Sequence, residues 1–255
     1  SALVVVSPAE DAAQATAAAQ AGLAEDRGPI PLRPFASGRR CLVVIPTYDE
    51  AENLEAIVHD IHSYLETDIL IIDDGSPDGT GKIADRLAAA DQRVHVIHRE
   101  GKQGLGTAYL AGFAFADEHD YERVFEMDAD FSHPPWDLPR LVAAAESADL
   151  VIGSRYVRGG STIGWDFKRR CLSKGANLYA RLVLGTGVRD MTAGYRCYHV
   201  DLLRRVPLEK IDAQGYAFQI EMVYRVRQAG GAIREIPIHF TDRRVGQSKM
   251  DSGIA

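Results

Sequence analysis

The chain has 255 residues, a formal net charge of −7 and a hydrophobic fraction of 46%. This allows one large α/β domain, or one domain with appendages, and argues against a protein built to coat nucleic acid. Cys41, Cys171 and Cys197 match no zinc spacing and fit a reducing compartment, and no apolar stretch approaches the ~20 residues of a spanning helix.

Residues 1–38 read as a tail and linker: an Ala- and Gln-rich stretch from Ala9 to Ala24, then Gly28-Pro-Ile-Pro-Leu-Arg-Pro34, which breaks any helix. Residues 39–255 read as the folded domain. Cys41–Ile45 is a short apolar run, expected as a buried strand. Leu54, Ile57, Val58, Ile61 and Leu65 follow at helical spacing. Further strands are expected at Ile69–Ile72, Val94–Ile97, Val124–Met127 and Leu150–Ile152. Helices are expected around Ile83–Leu87, Gly106–Phe115 and Leu138–Ala145. Strands apolar on both faces, alternating with helices, predict a mostly parallel sheet covered on both sides. Beyond Arg155 a Gly-rich stretch, Arg158–Gly164, reads as a mobile loop or a plain connector. It leads to a helix over Lys168–Leu184, then strands near Tyr195–His199 and Ile233–Phe240 with a helix near Gln219–Ala229 between them.

Polar clusters stand immediately after the apolar runs. They are Pro46-Thr-Tyr-Asp-Glu50, Asp73-Asp-Gly-Ser-Pro-Asp-Gly79, Asp128-Ala-Asp130 and Gly153-Ser-Arg155. Any one of them could be ordinary turn chemistry. Four at one sheet edge form the crevice in which open α/β folds bind ligands. Alternating residues of a strand share a face, so Asp128 and Asp130 project together. Two carboxylates that close repel unless a hard divalent cation separates them. The chain has neither G-x-x-x-x-G-K-[ST] nor G-x-G-x-x-G after the first strand, which argues against a P-loop enzyme and a dinucleotide dehydrogenase. Phosphate would then be handled by metal and by arginine.

The cations lie in the second half: Arg155, Lys168, Arg169, Arg170, and Arg243 to Lys249, which reads as a phosphate-clamping loop. On the helix over 168–184, Leu172, Ala176, Tyr179 and Val183 fall on one side and Arg170, Lys174, Asn177 and Arg181 on the other. Its apolar side is expected to pack on the core. The alternative is a basic amphipathic helix lying on a lipid surface.

Taken in order, these motifs resemble a known family over almost all of residues 40–250. The further parts are Thr80, His133-Pro-Pro135, Tyr156, Ser173-Lys-Gly-Ala176, Arg189-Asp190, Gly194-Tyr-Arg196, Asp242-Arg243 and Ser248-Lys249. The set resembles the polyprenol-phosphate (dolichol-phosphate) mannosyltransferases of glycosyltransferase family 2, in particular the actinobacterial polyprenol monophosphomannose synthases. The resemblance implies a GT-A, Rossmann-like nucleotide-sugar-binding fold. It also implies inverting transfer of mannose from GDP-mannose to a polyprenyl phosphate, giving a β-linked product.

Carried over by motif, Pro46, Tyr48, Glu50, Asp74 and the backbone at Ile72 hold the nucleotide. Asp128 and Asp130 hold Mg²⁺ or Mn²⁺ and the diphosphate, Ala129 between them belongs to the donor-binding set, and Arg243 and Lys249 grip the diphosphate. Arg155, Arg169 and Ser173 receive the acceptor phosphate. Relatives often carry Gln two residues after the second metal Asp; here it is Ser132, a shorter ligand. Peripheral contact with the cytoplasmic face of the membrane, through a surface helix or a membrane-embedded protein partner, would bring the enzyme to its lipid. Rival readings are a UDP-glucose-dependent polyprenyl-phosphate glucosyltransferase, a hydroxyl-acceptor polysaccharide synthase, a non-catalytic nucleotide-sugar-binding domain and a nucleotidyltransferase. The absence of Gln-x-x-Arg-Trp lowers the polysaccharide option.

Overall fold

The computed structural model describes residues 34–242. Arg243 and Lys249, the expected diphosphate clamp, lie outside them. Strands β1 (Cys41–Thr47), β2 (Asp68–Asp73), β3 (Val94–His98), β4 (Arg123–Glu126) and β5 (Leu150–Ser154) alternate with helices α1 (Leu54–Tyr64), α2 (Thr80–Ala90), α3 (Leu105–Glu118) and α4 (Leu138–Ala145). The later elements are β6 (Ser161–Ile163), α5 (Phe167–Leu184), β7 (Arg196–His199), α6 (Val200–Leu203), α7 (Tyr216–Gln228), β8 (Ile233–Pro237) and β9 (His239–Thr241).

Seven strands form one sheet in the order β3-β2-β1-β4-β7-β5-β8. Only β7 runs antiparallel to its neighbours β4 and β5. The mostly parallel sheet expected from the apolar runs is therefore the one observed. The alternation within β1 and β2 divides the core. Cys41, Val43, Ile45, Ile69 and Ile71 join the cluster with α1 and α4, while Leu42, Val44, Leu70 and Ile72 join the cluster with α3 and α7. A strand buried on both faces needs apolar residues at every position, which is why these runs are continuous.

Three details depart from the sequence reading. The expected strand over Ile233–Phe240 is two strands, and β9 leaves the main sheet to pair in parallel with β6. The Gly-rich stretch is therefore no plain connector, because Ser161–Ile163 within it forms β6. Phe35, inside the segment read as tail, bridges to Leu65.

The largest departure is α5. Its buried residues are Asn177 and Ala180, whereas Phe167, Leu172, Leu178, Tyr179, Leu182 and Val183 are exposed. The side expected to pack on the core faces away from it. The Asn177 side chain explains the orientation. Its Nδ2 donates to the Ser173 carbonyl (2.9 Å) and Thr192 Oγ1 (3.0 Å), and its Oδ1 accepts from Met191 N (2.7 Å) and Thr192 N (3.3 Å). A buried amide with all these partners is well satisfied, and it fixes which face of the helix turns inward.

Candidate active site

Strands β1, β2, β4 and β5 run the same way, so their C-terminal ends share one edge. The turn after β2 is tied internally. Ser76 Oγ donates to Asp73 Oδ1 (2.5 Å), and Asp78 Oδ1 accepts from Thr80 N (3.0 Å) and Thr80 Oγ1 (2.6 Å). The turn after β1 docks on it: Asp49 N donates to Ser76 Oγ (3.1 Å), Glu50 N to Thr80 Oγ1 (2.9 Å) and Ala51 N to Asp78 Oδ2 (3.0 Å). Asp49 takes a left-handed conformation (φ 55°) to make that corner, which Asp tolerates better than most residues. Glu50 is buried and accepts from Asn53 Nδ2 (2.8 Å). Asp74 Oδ1 receives Arg99 Nε at 2.6 Å, and both side chains are largely buried. The Tyr48 ring lies 5.4 Å from the Lys102 ammonium. The expected nucleotide-holding residues thus stand together on a pre-formed surface.

Beside them β4 runs out into Asp128-Ala-Asp130. The Asp128 carboxylate is 37% exposed, while Asp130 is buried. Phe131, at φ 62°, turns the chain back, so that Ser132 N donates to Asp130 Oδ1 (3.0 Å) and Ser132 Oγ bonds the same oxygen. Ser132 thus supports Asp130 through both its amide and its hydroxyl. His133 Nδ1 accepts from Asp128 N (3.0 Å), which places the proton of a neutral ring on Nε2. The ring stacks on Tyr195 at 4.9 Å. Tyr109 OH donates to Asp128 Oδ1 (3.4 Å), and burial, followed by the Asp128 charge, raises its phenol well above the usual range. Beneath this edge Glu126 is fully buried. Burial pushes its carboxyl up to about 7 despite Arg196 and Gln219.

A cavity opens on these carboxylates. Asp128, Asp130, Ser132 and His133 line one part of it, and Arg155, Trp165, Arg169, Thr192, Gln219 and Phe240 line the rest. Arg155 forms a two-pronged pair with Asp190 (Nε to Oδ2 2.8 Å, Nη2 to Oδ1 2.6 Å), and Nη2 also reaches Thr192 Oγ1 (2.8 Å). Arg169 is about half exposed, pairs with Asp242 at 3.0 Å and lies 4.2 Å over the Trp165 ring. Asp166 caps α5 by accepting from Arg169 N (2.7 Å), which fixes Arg169 in the first turn. Ser173 Oγ accepts from Tyr156 OH (2.7 Å), leaving its own O–H to donate elsewhere.

A protein-family model described as glycosyl transferase family 2 matches residues 42–206. The polyprenol monophosphomannose synthase of Mycolicibacterium smegmatis is 50% identical over 232 residues, 90% of this chain and 86% of that protein. The chain belongs to glycosyl transferase family 2. The undecaprenyl-phosphate mannosyltransferase of Micrococcus luteus is 48% identical over 216 residues, 84% of this chain and 89% of the other. Among solved structures, glucosyl-3-phosphoglycerate synthase from Mycobacterium tuberculosis, in complex with Mn²⁺, UDP-glucose and phosphoglyceric acid, superposes with a TM-score of 0.58. It is 21% identical and covers 83% of this chain and 73% of that one. That likeness concerns the fold.

Within this family member the residues singled out by sequence fall into two groups. Pro46, Tyr48, Glu50, Ile72 and Asp74 stand at the ends of β1 and β2. Asp128, Asp130, Ser132, Arg155 and Arg169 line the cavity, and Ser173 lies one helical turn beyond Arg169. Ala129 is buried between the two carboxylates in sequence. Four further residues carry weight that the sequence reading did not assign. Asp190 neutralises Arg155, His133 holds the backbone of Asp128, and Trp165 and Gln219 line the cavity. The sequence quotes His133 and Asp190 inside motifs, and a buried arginine calls for a carboxylate. Trp165 and Gln219 carry no local signal.

Proposed function

We propose that this protein transfers mannose from GDP-mannose to a polyprenyl phosphate at the cytoplasmic face of the membrane, with residues 39–255 as its catalytic domain. The two relatives at 50% and 48% identity are named a polyprenol monophosphomannose synthase and an undecaprenyl-phosphate mannosyltransferase, which supports the mannosyl transfer and the acceptor. The observation that carries the reading is the single cavity lined by Asp128 and Asp130 at one part and Arg169 at another. A donor diphosphate and an acceptor phosphate need these two opposite charge environments close together.

Asp128 and Asp130 would hold Mg²⁺ or Mn²⁺. Among the described residues no group of three or more His, Cys, Asp or Glu could hold an ion. Two carboxylates would suit an ion that is also bound by a nucleotide diphosphate. Bound there, the ion would neutralise charge gathering on the leaving diphosphate. Arg243 and Lys249 would share that task. Asp74 and Glu50 would hold the nucleoside end, aided by Pro46, Tyr48 and the Ile72 backbone. Arg169, Arg155 and the Ser173 hydroxyl would receive the acceptor phosphate. That nucleophile is already anionic near neutral pH, so none of the cavity carboxylates has to act as general base. A hydroxyl acceptor would need one.

The outward face of α5 supports peripheral membrane contact. Leu172, Leu178, Tyr179, Leu182 and Val183 are exposed there, and Lys168, Arg170, Lys174 and Arg181 lie on the same helix. No helix among the described residues is long and apolar enough to cross a membrane. A membrane-embedded protein partner would add to the modest attraction of such a face.

The donor is tested with undecaprenyl phosphate and a choice of GDP-mannose or UDP-glucose. Preference for GDP-mannose by a hundredfold or more in kcat/KM is expected. Preference for UDP-glucose would overturn the donor, and release of neither nucleotide would overturn transfer itself.

A further inference from the structure

Two residues of the cavity lining each carry a buried polar atom with no hydrogen-bond partner among the described residues. One is an acceptor, Gln219 Oε1, and the other a donor, Trp165 Nε1. Gln219 is 2% exposed and Trp165 5% exposed, and both side chains line the cavity with Asp128 and Asp130. Buried polar atoms are rarely left unpaired, and an exception asks for the group that completes it.

The Gln219 amide has a fixed sense. Its Nε2 donates to Glu126 Oε2 at 2.8 Å. With Glu126 ionised, turning the amide over would set Oε1 against a carboxylate oxygen, so Oε1 is the end left for a ligand. The Gln219 backbone is anchored as well, because its carbonyl accepts from Arg196 Nη1 (3.0 Å). Trp165 is held between cations and an aromatic edge. Arg169 lies 4.2 Å and Arg155 5.3 Å from its ring, and Phe240 meets it at 5.6 Å and 74°. Neither side chain can easily turn to find a protein partner.

A ligand that satisfies both atoms must donate to one and accept from the other. A hydroxyl does both, and a hexose carries several. Any sugar passing from a diphosphate at Asp128 and Asp130 to a phosphate at Arg169 must occupy the space between them. We infer that this cavity is the subsite of the transferred hexose, in which Gln219 Oε1 accepts a hydrogen bond from one sugar hydroxyl and Trp165 Nε1 donates to another. The inference rests on the nucleotide-sugar reading above and adds to it the two residues that read the sugar. A site built to bond a hydroxyl rejects the analogue lacking it, because its own buried group is then stranded.

The test compares GDP, GDP-mannose and a set of GDP-deoxymannoses lacking one hydroxyl each, with undecaprenyl phosphate as acceptor. In the wild type, loss of the hydroxyl that meets Gln219 is expected to lower kcat/KM about tenfold or more, ~1.4 kcal/mol or more at tenfold. Gln219→Met should cost about as much with GDP-mannose and make that one deoxy analogue as good a donor as mannose. Binding of GDP, which has no sugar, should stay within about twofold. Trp165→Phe keeps an aromatic ring and removes the donor. It should abolish the penalty at a different hydroxyl, which keeps the test decisive if Gln219→Met does not fold. Equal weakening of GDP and GDP-mannose, or retention of every deoxy penalty in both variants, would overturn the inference while wild-type transfer left the donor reading standing. A wild type that transfers nothing from GDP-mannose would overturn both.

Discussion

The turn after β2 and helix α5 both carry residues of the proposed site and are held in opposite ways. In the turn, Asp73, Asp74 and Asp78 all have protein partners, from Ser76, Arg99, Thr80 and Ala51. In α5 a polar residue, Asn177, is the anchor, and the large apolar side chains point outward. The turn is tied by its own residues and by Arg99 and Ala51 from the neighbouring loops, a rigid surface that suits a soluble nucleotide. The helix leaves apolar area uncovered, which suits an enzyme whose acceptor sits in lipid. The contrast teaches that hydrophobic spacing alone does not say which side of a helix meets the core. A single buried amide with several partners decides it here.

The comparison is broken most severely at the two carboxylates proposed to hold the metal. Asp128→Ala or Asp130→Ala should lower transfer by about a thousandfold or more, since the charge of the leaving diphosphate is left uncompensated. EDTA should do the same to the wild type. Turnover unaffected by EDTA would remove these residues from their role. Next is the buried pair behind the acceptor side. Asp190→Ala strands the Arg155 guanidinium, itself 4% exposed, and should cost roughly 3–5 kcal/mol of stability in denaturant unfolding. A cost under about 1 kcal/mol would mean that Arg155 finds another partner.

A smaller effect is expected at the exposed arginine. Arg169→Ala removes a charge-assisted contact of roughly 1.5–3 kcal/mol and should raise the KM for lipid phosphate about ten- to a hundredfold. The KM for GDP-mannose should hold, and the reverse pattern would move Arg169 to the donor side. The smallest effect on stability sharpens the contrast. Leu172→Gln with Leu182→Gln should change unfolding free energy by less than about 0.5 kcal/mol per site, because both side chains are more than 70% exposed. The same variant should lose binding to anionic vesicles in co-sedimentation. Equal sedimentation of variant and wild type would show that the outward face of α5 does not meet lipid.

Much of the fold was legible because strands buried on both faces write themselves as apolar runs, as Leu42–Ile45 and Ile69–Ile72 do. The edge of the site was legible because Asp-Gly turns and paired carboxylates follow those runs directly. What remained hidden depends on contacts far apart in sequence. Asn177 turns α5 by bonding Met191 and Thr192, β9 leaves the sheet to pair with β6, and Gln219 reaches the cavity from a helix to which the sequence reading gives no role in the site. The Ser132 hydroxyl is similar. Its spacing resembled that of a metal ligand, but its bond to Asp130 shows a support that spacing alone does not reveal.

The most direct test of mannosyl transfer is incubation of the protein with radiolabelled GDP-mannose, Mn²⁺ and undecaprenyl phosphate, followed by organic extraction. Label should enter the lipid phase as a β-linked mannosyl phosphate, only when lipid phosphate is present, and not in EDTA or with Asp130→Ala. Label that stays in the aqueous phase with folded protein would contradict the account.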